Sequence, residues 1–203
     1  MKLYYAPHTC ALACWISLEW AGADYEVEKV DYASAEYKKV NPLGMVPALD
    51  IGGSRAMTQA NAILQYIADT HPEAQLGVGS GVQEQFAFNE TMAFLTGDFH
   101  PAFWPMFSPN RYTTEKTAAA HEAVRQAAYA RIDRVMAFLD QLIGESGHVF
   151  AGRRSVADAY AFVMALWSVK TPKSYREYPH LAAFMQSMQE DAAVQKVLAQ
   201  AAA

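Results

Sequence analysis

Two cysteines, Cys10 and Cys14, stand four residues apart in the stretch YYAPHTCALACWISLEWAG, and the chain has no others. Such a pair can be a disulfide, a metal site, a dithiol redox couple, one working thiol, or core packing. The spacing is C-x3-C, not the C-x-x-C of a dithiol redox motif. Two cysteines in 203 residues do not make a disulfide framework. The six histidines, at 8, 71, 100, 121, 148 and 180, are scattered, so spacing supports no structural metal site and none is expected. One working thiol, or two buried side chains, is left.

The elements around the pair separate the two cysteines. Lys2 to Tyr5 reads as a short strand, and residues 10–21 as a helix of good formers ended by Gly22, which suits the left-handed position after a helix. Cys10 therefore stands at a helix N-terminus, among free N–H groups and the positive end of the dipole. That position lowers a thiol pKa and predicts a partly ionised Cys10 at neutral pH. Thr9 can cap the helix or give its hydroxyl to the sulfur, and His8 reads as an exposed side chain. Cys14 lies one turn deeper on the same face, where the dipole effect has faded, and reads as packing.

Two further stretches carry chemistry. Residues 25–30 read as a second strand, so the chain opens with a right-handed βαβ unit. NPLGMVPAL (residues 41–49) follows a short connecting segment. A proline opening a strand gives up one ladder donor and can adopt a cis peptide bond. A strand that exposes the Val46 N–H and C=O beside such a turn can pair with the backbone of a bound peptide. Residues 47–57 read as a hairpin turning at Gly52-Gly53, with Thr58 as the cap of a helix over 59–69. Free amides at Gln59 and Ala60 make an anion site suited to a carboxylate, and Gln59 adds a side-chain amide.

The expected architecture is an α/β domain over 1–75 in the order βαβ-α-ββα, a glycine-marked linker over 76–81, and an all-α domain over 82–203. The helical part is expected to contain a helix over 82–107 bent near Pro101 and Pro105, a long helix over 114–143, and a buried helix opened by the capping box Ser155-Val156-Ala157-Asp158. A helix from Pro179 and a last one over 191–199 complete it. Composition agrees with a folded protein: 52% of residues are hydrophobic and 18% charged, with a net charge of -5. No basic stripe suggests a nucleic-acid partner, and no apolar run approaches the length of a membrane span. A reducing cytoplasm is the expected location.

In order and spacing, the strand-loop-Cys start, NPLGMVPAL, MTQANAILQYI and GRRSVADAYAFVMALW resemble the cytosolic glutathione transferase family. Cys10 and the His100 stretch GDFHPAFWPMF make the chain most similar to the bacterial beta class. The resemblance implies a thioredoxin-like N-terminal domain, a helical C-terminal domain and a homodimer. Glutathione, as co-substrate, would lie along Met45, Val46 and Pro47, with its γ-glutamyl carboxylate at Gln59 and the Ala60 amide. Its sulfur would approach Thr9 and Cys10, with His100 close by. Tyr5 and Asp98 are secondary candidates. The family usually carries Ser where this chain has Ala60, and Asn, Ser and Lys where it has Ala93, Gly97 and Pro101. The activity implied is transfer of glutathione to small hydrophobic electrophiles, exchange of mixed disulfides through Cys10, or both. The helix-start position favours a reactive thiol. A non-catalytic, partner-binding member of the fold is the alternative reading. Trp104, Met106, Phe107, Tyr112 and Trp167 are candidates for an apolar substrate pocket.

Overall fold

The computed structural model describes residues 1–202. A four-stranded sheet holds β1 (Lys2–Tyr5), β2 (Glu26–Lys29), β3 (Ala48–Asp50) and β4 (Met57–Thr58) in the order β2-β1-β3-β4. β1 runs parallel to β2, with Leu3 opposite Val27, and antiparallel to β3, with Leu3 opposite Leu49. β3 and β4 are antiparallel. The helices α1 (Ala11–Trp20), α2 (Ala35–Val40) and α3 (Ala60–Thr70) complete the expected βαβ-α-ββα order.

The hairpin departs from expectation. Residues 51–56 form an open loop, so Ser54, Arg55 and Ala56 belong to the turn and only Met57 and Thr58 return as strand. Thr58 pairs with Ala48 in the ladder and cannot cap a helix; Gln59 takes the cap position of α3 instead.

α1 is buried on every side from Ala11 to Leu18. A helix that is apolar all round needs cover all round. The sheet and α3 cover one side of it, and helices of the second half cover the other. The helices of the second half are α4 (Val82–Phe94), α5 (His100–Phe107), α6 (Ala118–Ile143), α7 (Val156–Ala165), α8 (Pro179–Glu190) and α9 (Ala192–Ala202). α7 and α9 pack on α1, so the core runs without interruption between the two halves.

The predicted bend in residues 82–107 is a π-helical turn over Leu95–Phe99, ahead of the prolines. The helical backbone continues through it into α5, so Pro101 sits just after the π turn, where the ladder is already shifted. α6 begins at Ala118 rather than Thr114, because the Thr117 hydroxyl accepts the Ala120 N–H and caps it there. α7 is buried along its whole length. Its capping box holds: the buried Asp158 carboxylate accepts the Ser155 N–H at 2.8 Å and the Val149 N–H at 2.7 Å.

Candidate active site

Three loops at one end of the sheet meet around the start of α1. Cys10 occupies the cap position, with φ -60° and ψ -13°, and no side chain caps the helix. Thr9 neither caps it nor reaches the sulfur; its hydroxyl donates to the Ala6 carbonyl at 2.7 Å. The Cys10 thiol is buried and donates to the Val46 carbonyl at 3.6 Å.

Val46 precedes Pro47 through a cis peptide bond. The loop that delivers it is braced from below. The Met45 carbonyl accepts from Asn41 Nδ2 at 2.6 Å and from the Tyr37 hydroxyl at 2.8 Å. Gly44 has φ +57°, and a Cβ there would lie 2.9 Å from the Tyr32 carbonyl, so only glycine fits this turn. Held this way, the Val46 N–H has no hydrogen-bond partner among the described residues. Its C=O meets only the long contact from Cys10. That is an unpaired strand edge.

The third wall is the start of α3. Gln59 is exposed and has φ 73° and ψ 112°, a conformation that costs a non-glycine residue about 1–3 kcal/mol. Strain of this kind persists where surrounding structure imposes it, and it collects at ligand sites. No side chain caps α3 and its first turn has no acid, so its amides and dipole are open to an anion. Ala60 is buried, leaving only its amide to offer. The Cys14 thiol, fully buried, points at the Ala60 carbonyl at 3.9 Å. The two cysteines thus touch two different walls of one groove, Cys10 the proline edge and Cys14 the base of α3.

The electrostatics reverse one expectation. Burial pushes the Cys10 thiol up to about 12, and Cys14 is raised as well, chiefly by burial. Cys10 is therefore a neutral thiol, not the partly ionised one that its place at a helix start predicts. The amides lie at the helix end, but apolar residues enclose the sulfur, and desolvation dominates.

His100 begins α5. Its Nδ1 is 3.0 Å from the Tyr160 hydroxyl, and its ring packs on Trp167 and Trp104 with centroids 5.0 and 5.7 Å away. Burial pulls its pKa down to about 4, so the ring is neutral at physiological pH. Trp167 donates Nε1–H to the His8 carbonyl at 3.0 Å. His8 itself has an exposed side chain and φ 61°. This bond ties the aromatic wall of the helical half to the loop that carries Cys10. Burial holds the Tyr160 phenol well above the ordinary tyrosine range, so it keeps its proton.

Other candidates fall elsewhere. Tyr5 is a core residue, its ring 4.8 Å from that of Trp15. Asp98, Ala93 and Gly97 lie exposed on α4 and the π turn. Of the apolar pocket candidates, Met106 and Trp167 are largely buried, whereas Trp104, Phe107 and Tyr112 are exposed. Sequence reasoning missed Tyr37 and Asn41 as braces of the proline loop and Tyr160 as the partner of His100. The one available signal was an asparagine directly before a proline, which often starts a turn.

Two concavities lie away from this groove. One, of about 450 Å³, lies between the end of α1, β2 and α9, and another, of about 520 Å³, runs along the linker beside Arg153. Neither touches Cys10, Val46 or Gln59. An extended ligand that pairs with a strand edge needs an open groove rather than a closed cavity, and the groove chemistry outweighs size here.

Known proteins resemble this chain in sequence and in fold. Family models for the glutathione S-transferase N-terminal and C-terminal domains match residues 9–70 and 122–187. Glutathione S-transferase GST-4.5 of Xanthomonas campestris is 36% identical over 98% of this chain and 97% of its own. The bacterial beta-class glutathione S-transferase of Sphingomonas chungbukensis superposes with a TM-score of 0.87 at 32% identity, covering 99% of this chain and 98% of that one. A sphingomonad glutathione S-transferase complexed with glutathione gives the same TM-score and identity, over 100% of this chain and 99% of that one. With both domain models matched and relatives aligned along nearly its full length, the chain belongs to the glutathione S-transferase family.

Proposed function

We propose that this protein joins the sulfur of glutathione to an electrophilic carbon of a small apolar compound. The convergence of three groups on one groove carries the reading. They are the unpaired Val46 edge, the open start of α3 behind Gln59, and the Cys10 thiol between them. The names of the relatives and the glutathione-bound neighbour support glutathione as the co-substrate.

Glutathione would extend along Met45, Val46 and Pro47, its cysteinyl backbone pairing with the Val46 N–H and C=O. Its γ-glutamyl carboxylate would meet the Gln59 side chain and the Ala60 amide at the positive end of α3. With Ala at position 60, one hydroxyl donor to the carboxylate is missing, which costs roughly 1.5–3 kcal/mol of binding. Thr9 would contribute through its backbone, since its hydroxyl serves Ala6.

Pairing of glutathione with the Val46 carbonyl would free the Cys10 S–H to turn towards the glutathione sulfur. A neutral donor beside that sulfur favours its thiolate and lowers its pKa. The thiolate attacks carbon, a C–S bond forms, the leaving group departs with the bonding pair, and the glutathione proton passes to solvent. Disulfide exchange through Cys10 would require the Cys10 thiolate, which burial disfavours. Conjugation is therefore the reaction this site supports best. Trp104, Phe107 and the edge of Trp167 would receive the apolar electrophile.

Exposed Val82, Phe86 and Phe138 on α4 and α6 suit burial against a second copy of the chain, consistent with a homodimer. Two unpaired cysteines and a thiol co-substrate fit a reducing cytoplasm. No helix among the described residues is long and apolar enough to cross a membrane.

Two measurements test the reading: a thermal shift with glutathione and the absorbance change on conjugation to a nitroaryl halide. At about 100 times its Kd, glutathione should add about 2.7 kcal/mol of stability, roughly 5–10 °C in Tm for a chain of this size. A protein that shows neither the shift nor the conjugation refutes the proposal.

A further inference from the structure

Tyr160 lies in the middle of α7, 1% exposed, with its hydroxyl 3.0 Å from His100 Nδ1. A buried phenol must give its proton to an acceptor. Two candidates are near. Thr96 approaches the same hydroxyl, and with its own proton given to the Met92 carbonyl at 2.7 Å its oxygen could only accept. The unprotonated nitrogen of a neutral imidazole is far more basic than a hydroxyl oxygen and is the better acceptor. Burial keeps His100 neutral, so it carries one ring proton, and keeps the Tyr160 proton in place. When Nδ1 accepts, that ring proton stands on Nε2. Nε2 has no hydrogen-bond partner among the described residues and is not sealed from solvent. The ring is held between Trp104 and Trp167, and Trp167 is bonded to the backbone two residues before Cys10.

We propose that Tyr160 is a positioning residue: its hydroxyl fixes His100 as the Nε2–H tautomer and aims that N–H, as a neutral donor, at the sulfur held beside Cys10. The role at sulfur rests on the reading of the groove as a glutathione site; the tautomer does not. The arrangement also defines what His100 does not do. With Nδ1 occupied and Nε2 already protonated, it is no general base for the glutathione thiol. It stabilises an anionic sulfur after the proton has left.

The test is a two-bond 1H–15N spectrum of the histidine-labelled wild-type protein together with Tyr160→Phe, which keeps the ring and deletes the hydroxyl. In the wild type, His100 should show a protonated Nε2 and an Nδ1 with the signature of a hydrogen-bonded acceptor. In Y160F that signature should be lost, a second tautomer should appear, and kcat/KM for conjugation should fall about 10-fold, mainly in kcat, as one positioning hydrogen bond is removed. A wild-type spectrum with the proton on Nδ1 overturns the proposal, even if Y160F does not fold. So does a Y160F protein with an unchanged His100 spectrum. A wild-type protein that shows the Nε2–H tautomer but no thermal shift with glutathione overturns the role at sulfur and leaves the tautomer assignment standing.

Discussion

Alkylation of Cys10 tests the charge state at the centre of this site. An ordinary thiol at about 9 and a buried one at about 12 differ about 1000-fold in thiolate fraction at pH 7. Only the thiolate reacts with iodoacetamide, so Cys10 should label about three orders of magnitude more slowly than an exposed cysteine, without a plateau below pH 10. Peptide mapping by mass spectrometry separates its label from that on Cys14, which is fully buried and should not react in the folded protein. The variants complete the argument. Cys10→Ala deletes the donor to the glutathione sulfur. A hydrogen bond to a charged group is worth roughly 1.5–3 kcal/mol, so kcat/KM for conjugation should fall about 10- to 100-fold without being abolished. Cys10→Ser keeps a donor and should lose less. Rapid labelling with a midpoint below pH 8, combined with complete loss of conjugation in Cys10→Ser, would refute the neutral-donor role and restore a reactive thiolate.

Gln59→Gly should separate fold from function: release of the strained backbone should stabilise the protein by about 1 kcal/mol or more, while loss of the side-chain amide weakens glutathione binding about 10-fold, read by chemical denaturation and calorimetric titration. His100 should make stability depend on acid. Its folded pKa, about 4, lies below the ordinary 6.5, so its contribution is fully present above pH 6.5 and is lost as pH falls towards 4, about 3 kcal/mol at most, and a His100→Phe variant should flatten that part of the curve.

The parts of the site that depend on local backbone chemistry were legible in the sequence. A proline opening a strand and glycines at turns announced the Val46–Pro47 edge, where the cis bond and the positive φ of Gly44 are found. Thr58, by contrast, reads in the sequence as the cap of α3, and the uncapped start and positive φ at Gln59 are visible only in the fold. The family motifs then added His100, which no spacing rule would have singled out. The parts that depend on long-range enclosure were not legible. The Thr9 hydroxyl had three local choices, and only the folded loop shows that it takes the Ala6 carbonyl. Trp167 and His8 are separated by 159 residues and Tyr160 and His100 by 60, so no pattern in either stretch reveals the bond between them. The charge state of Cys10 belongs to the same class, because its sulfur is enclosed by a strand edge 36 residues away and by elements further still.

That last case can be decided on magnitudes. A helix N-terminus stabilises a nearby negative charge by typically 0.3–1 kcal/mol, and up to about 2 in favourable buried geometries. Raising a thiol from 9.0 to about 12 corresponds to about 4 kcal/mol against the thiolate. Burial therefore prevails over the dipole, and a reading based on helix polarity alone obtains the wrong sign. The outcome also suits conjugation. A Cys10 thiolate next to the glutathione sulfur would raise the pKa of that sulfur by like-charge repulsion, opposing the ionisation that the reaction needs. In the proposed binding mode, a neutral Cys10 and a neutral His100 would surround it instead with hydrogen-bond donors and no competing negative charge. The positive potential of the two helix starts would then act on glutathione alone, on its carboxylate at α3 and on its sulfur at α1. On that reading, enclosing Cys10 would not disable the helix-start effect; it would transfer that effect from the protein thiol to the thiol of the co-substrate.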